Sequence, residues 1–78
     1  MSILKKLRER SEPLNVRQVA KLLGVSEATI QRWVRDRWVP AFRINGTIRF
    51  DAQMLADWIE QLLVKQGQVR ASAGMENR

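Results

Sequence analysis

The 78-residue chain has no cysteine and no histidine. Without cysteine there is no disulfide framework, no thiolate metal site and no cysteine nucleophile. Without histidine the commonest general base and zinc ligand is missing as well. The eight carboxylates are scattered rather than clustered. The chain is therefore expected not to be an enzyme and to need no metal and no cofactor. No apolar run approaches the ~20 residues that cross a bilayer. The opening MSILKKLRER lacks the apolar core of a signal peptide, so a cytoplasmic location is expected. A chain this short has room for one domain with a small core.

What is present is positive charge, unevenly placed. The formal net charge is +6. Residues 15–50 carry Arg17, Lys21, Arg32, Arg35, Arg37, Arg43 and Arg49 against only Glu27 and Asp36. Residues 51–64 carry Asp51, Asp57 and Glu60 and no basic residue. Charge segregated in this way suits a surface aimed at a polyanion.

The chain divides into a basic arm or short helix over 1–13, a domain over 14–65 and a tail over 66–78. The first piece sets Ile3, Leu4 and Leu7 among lysines and arginines and breaks at Pro13. It forms either a helical turn packed on the domain or a disordered arm. Asn15 followed three residues later by Gln18 is a capping-box pattern. It opens a first helix, Val16–Leu23, with Val16, Val19, Ala20 and Leu23 on one face. Gly24 closes that helix in the left-handed conformation. Ser26 caps a second helix, Glu27–Asp36, with Ile30, Trp33 and Val34 inward and Ala28, Gln31, Arg32 and Arg35 outward. Pro40 then prevents helix and begins an extended segment.

The segment AFRINGTIRF reads as a β-hairpin. A two-residue Asn45-Gly46 turn would pair Phe42 with Arg49 and mix polar and apolar residues on both faces. A three-residue loop, Ile44-Asn45-Gly46, pairs Phe42 with Ile48 and Arg43 with Thr47. That register puts Phe42, Ile48 and Phe50 inward and Arg43, Thr47 and Arg49 outward, and one buried face selects register. The second register is the expected one. Asp51 caps a third helix, Ala52–Lys65, with a stripe of Met54, Leu55, Trp58, Ile59, Leu62 and Leu63. Trp33 and Trp58 fall on apolar faces, and Trp38, in the connector before Pro40, is also expected in the core. From Gln66 onward apolar content is too low to pack, and a disordered tail is expected.

Two short amphipathic helices joined at a glycine, the second polar on its outer face, form a helix-turn-helix. The pieces VAKLLGVS (19–26), IQRWV (30–34), PAFRINGTIRF (40–50) and MLADWI (54–59) resemble, in order and spacing, the excisionase-type, MerR-like winged helix-turn-helix family. The resemblance spans about residues 14–63. It implies a mainly α fold with a small β-hairpin, three helices plus a two-stranded wing. The family usually has a glycine after the second helix, where this chain has Arg37-Trp38. Without glycine the helix ends differently, or a residue becomes left-handed at a cost of roughly 1 kcal/mol. The long dimerisation helix and effector domain of MerR regulators have no counterpart here, so no small-molecule effector is expected.

By this resemblance the second helix enters the major groove of double-stranded DNA, and Ser26, Glu27, Ala28, Gln31, Arg32 and Arg35 meet base edges. Gln pairs with adenine, Arg with guanine, and Glu accepts from cytosine. Arg43 and Arg49 on the wing are directed to phosphates or a narrow minor groove, and Thr47 on the wing and Arg17 and Lys21 on the first helix to phosphates. One such module reads few base pairs, so several copies bound head to tail, bending DNA beside an integrase or recombinase, make an excisionase-type architectural factor. That role places the protein at the nucleoid. A small transcriptional regulator of the same fold is the alternative. A protein-interaction module that has lost DNA binding is the second.

Overall fold

A computed structural model describes the backbone of residues 2–72, with side chains described from Ile3 to Leu63. Four helices and one hairpin follow in the order α1 (Ser2–Arg8), α2 (Val16–Leu23), α3 (Glu27–Arg35), β1 (Phe42–Ile44), β2 (Thr47–Arg49) and α4 (Ala52–Ser72).

The caps lie where the sequence places them. The Asn15 side chain accepts from the Gln18 amide at 2.7 Å, and Gln18 accepts from the Asn15 amide at 2.8 Å, so both halves of the capping box form. Gly24 ends α2 with φ +74°. Ser26 accepts from the Thr29 amide, and Asp51 from the Met54 amide, opening α3 and α4. These bonds satisfy amides that the first turn of a helix leaves without partners.

The core is made by one side of each helix and by three connecting residues: Leu7 of α1, Val19 and Ala20 of α2, Ile30 of α3, and Ala52, Leu55, Ala56 and Ile59 of α4, with Leu14, Val39 and Phe50 between them. Leu14 and Phe50 form an isolated antiparallel bridge, exchanging backbone bonds of 2.9 and 2.8 Å. This bridge ties the entry to α2 to the end of the hairpin and sets the hairpin beside the helix pair.

Of the two alternatives for the N-terminal piece, the helix is the one formed. Leu7 is buried, and Ile3 and Leu4 pack against the core. Arg8 reaches across to Asp57 at 2.7 Å and Glu60 at 2.6 Å on α4. Gln53 donates to the carbonyls of Leu7, Arg8 and Arg10, satisfying the last turn of α1. Hydrogen bonding to Asp57 foremost, and also to Glu60, holds the Arg8 guanidinium above its ordinary value, which favours its charged form.

Four expectations are corrected. The helices number four rather than three, because α1 is one of them. The hairpin takes the two-residue turn: Phe42 pairs with Arg49, Arg43 with Ile48 and Ile44 with Thr47. Asn45 (φ +52°) and Gly46 (φ +76°) are both left-handed, the type I′ geometry whose twist matches the strands. The other register presupposes a buried face, and this hairpin has none to speak of: β1 is exposed throughout, and only Ile48 packs against the core. Turn chemistry therefore decides, leaving Phe42 and Ile44 exposed. Helix α4 runs to Ser72, so residues 66–72 of the expected disordered tail are helical. Helix propagation needs only one further backbone bond per residue, so low apolar content does not by itself end a helix. The rest of that tail, 73–78, lies outside the described residues. Finally, Trp38 is 48% exposed, Met54 56% and Leu63 41%, so none of the three belongs to the core. Met54 stands in the first turn of α4 and Trp38 in an extended connector, where no element covers them from outside.

Candidate nucleic-acid interface

Helix α3 sits on α2 through Ile30, which is fully buried, with Trp33 and Val34 half-buried beside it. With that side fixed, the 3.6-residue period turns Ala28, Gln31, Arg32 and Arg35 outward, and all four are exposed. Glu27 is also exposed, in the first turn, where a carboxylate suits the positive end of the helix. Ser26 is exposed, but its hydroxyl is engaged locally, 3.1 Å from the Thr29 amide and 2.9 Å from the Thr29 hydroxyl. Arg17 and Lys21 are exposed on α2.

Among the described residues both ion pairs belong to Arg8, on the far end of the sequence from these cations. Arg17, Lys21, Arg32, Arg35 and Arg43 therefore face solvent without a carboxylate partner within that set. Cations displayed in this way are available to a polyanion at no cost of breaking an internal pair.

The register of the hairpin distributes its cations. Pairing of Arg43 with Ile48 puts these two on one face, and Phe42, Ile44, Thr47 and Arg49 lie on the other. Arg43 lines an open groove of about 1210 Å³ together with Gln31 and Arg35 of α3. Arg49, half-buried, instead folds its guanidinium onto the Ile48 carbonyl at 2.9 Å. Thus three of the residues nominated from sequence, Gln31, Arg35 and Arg43, converge on one groove. Arg32, Thr47 and Arg49 do not line it.

Sequence reasoning left Arg37 out of the site, and the structure places it on the same groove. The end of α3 explains its position. The Trp38 amide bonds the Trp33 carbonyl at 2.9 Å and the Arg37 amide bonds the Val34 carbonyl at 3.0 Å. These are the two bonds of a Schellman motif, and its usual apolar contact is present as an edge-on packing of Trp38 on Trp33, centroids 4.7 Å apart. The motif needs a left-handed residue between them, and Arg37 supplies it at φ +58°. Of the two endings open to a helix without glycine, the left-handed one is realised. The missing glycine was the signal for it. Trp38 also packs edge-on against Trp58 of α4 at 5.0 Å, which fixes its ring at the floor of the groove.

Among the described residues no helix is long and apolar enough to cross a membrane. No curated protein and no solved structure gives a significant match to the chain. The family model described as a helix-turn-helix domain matches residues 13–62, the span that holds α2, α3, the hairpin and the first half of α4. The chain belongs to the helix-turn-helix domain family, and DNA is the partner such a domain supports.

Proposed function

We propose that this protein is a non-catalytic, sequence-specific binder of double-stranded DNA, acting as an architectural factor of the excisionase type. Helix α3 lies in the major groove and the hairpin serves as a wing on the backbone or minor groove. The observation that carries this reading is the outer face of α3: Gln31, Arg32 and Arg35 stand exposed side by side, without ion pairs among the described residues. Gln31 and Arg32 have the donor patterns that read adenine and guanine edges. Arg17, Lys21, Arg43, Thr47 and Arg49 supply phosphate contacts around them.

One helix and one wing read few base pairs, so useful specificity comes from several copies side by side. Copies in a row, bound head to tail and with an integrase or recombinase as neighbour, bend the duplex they share.

A salt titration tests the DNA reading. Binding through about five phosphates gives a log–log slope of roughly −4 to −5. A flat dependence, or no duplex binding at low salt, would favour a protein-interaction module instead. Selection of bound fragments from genomic DNA then separates the roles. Tandem repeats beside an integration end support the architectural factor, and single sites scattered over promoters support a transcriptional regulator of the same fold.

A further inference from the structure

The groove between the end of α3 and the hairpin combines two kinds of wall. Its floor is aromatic: Trp38, 48% exposed, is held edge-on by Trp33 and Trp58 and offers the remainder of its surface to the groove. Its rim is cationic, with Arg35, Arg37 and Arg43 all lining it. The acidic residue on the same groove, Asp57, is engaged by Arg8 at 2.7 Å. Arg37 is placed on the rim by the left-handed ending of α3, and its exposed side chain has neither a hydrogen bond nor an ion pair among the described residues. Its charge is therefore available to an anion in the groove without breaking an internal pair.

We propose that this groove seats one strand of the duplex, with a phosphate on Arg37 and the adjoining deoxyribose against Trp38. The proposal rests on the DNA-binding reading above and adds two residues to it. An alternating polymer of apolar sugar and anionic phosphate matches an aromatic floor with an arginine rim. The groove is also continuous with the outer face of α3 through Gln31 and Arg35, so a strand flanking the major groove passes directly into it.

Two variants of the full chain test this, with a mixed-sequence duplex as the probe. Arg37→Gly removes the cation and relieves the backbone. It should keep or raise the thermal midpoint, weaken duplex binding several-fold at low salt, and make the log–log salt slope shallower by about 0.9, the signature of one lost phosphate. A structural role alone would move the midpoint and leave the slope unchanged. Trp38→Phe keeps a ring against Trp33. In the parent protein the duplex should protect tryptophan fluorescence from acrylamide, and in Trp38→Phe that protection should vanish. Parental slope and affinity in Arg37→Gly would overturn the proposal, as would unaltered quenching on adding duplex. Protection that appears with protein concentration alone would also overturn it, assigning the groove to a second copy. If the parent protein binds no duplex, the underlying DNA reading fails; if it binds and Arg37→Gly behaves like it, only this proposal fails.

Discussion

At the scale of single residues, Arg32 and Arg49 are both arginines in a basic surface, but they are assigned different tasks. Arg32 stands on the outer face of α3, and Arg49 lies on the hairpin with its guanidinium on the Ile48 carbonyl. Arg32→Ala should relax base preference at one position and cost ~1–3 kcal/mol on the preferred site. Arg49→Ala should weaken binding to all sequences about equally. Competition binding against a set of single-base variants distinguishes the two, and identical profiles would refute the division of labour. Which residues of α3 face outward was legible from the spacing of Ile30, Trp33 and Val34. Arg37 was legible only in part: the missing glycine left two helix endings open, and which of them forms, and hence where Arg37 stands, depends on the contact of Trp38 with Trp33.

At the scale of elements, the helix starts were legible because a cap is a local device: Asn15, Ser26 and Asp51 each bond an amide three residues away. Removing one should show its worth. Asn15→Ala breaks the capping box and should cost about 1 kcal/mol in urea-denaturation midpoints converted to free energy. The hairpin was misread for the opposite reason. Its register was inferred from a buried face, a tertiary property, although Asn45-Gly46 already specified a type I′ turn. The turn itself supplies a check. A Cβ added at Gly46 meets nothing within 4 Å, so Gly46→Ala acts through the positive φ alone. It should cost about 1–2 kcal/mol, visible in the same denaturation assay, with no change in the packing of Phe50. The end of α4 escaped sequence reading because apolar content and helicity are separable: residues 66–72 are poor in apolar side chains yet continue the helix.

At the scale of the whole molecule, a chain of 78 residues carries little stability to spare. Helix α1 contributes a core residue, Leu7, that seals the side of the domain formed by α4. Leu7→Ala should cost roughly 2–4 kcal/mol. Arg8→Gln, which breaks the surface ion pairs to Asp57 and Glu60, should shift the thermal midpoint much less, because exposed pairs gain little over their hydration. Comparable shifts for the two would mean that charge rather than apolar burial holds α1 in place. The sequence alone left α1 open, since three apolar residues among cations fit a packed turn or a free arm equally. What decided it was the core, which buries Leu7 with Ile3 and Leu4 packed against it, a tertiary partner that only the folded topology brings within reach.

The two-residue turn has a last consequence. With Arg43 on one face of the ribbon and Arg49 on the other, the hairpin carries an arginine on each side and is two strands wide and three residues long in each strand. A ribbon charged on one side lies flat along a single strand of nucleic acid. One charged on both sides is shaped as a blade, suited to stand on edge between two phosphate chains and to hold them at a fixed separation.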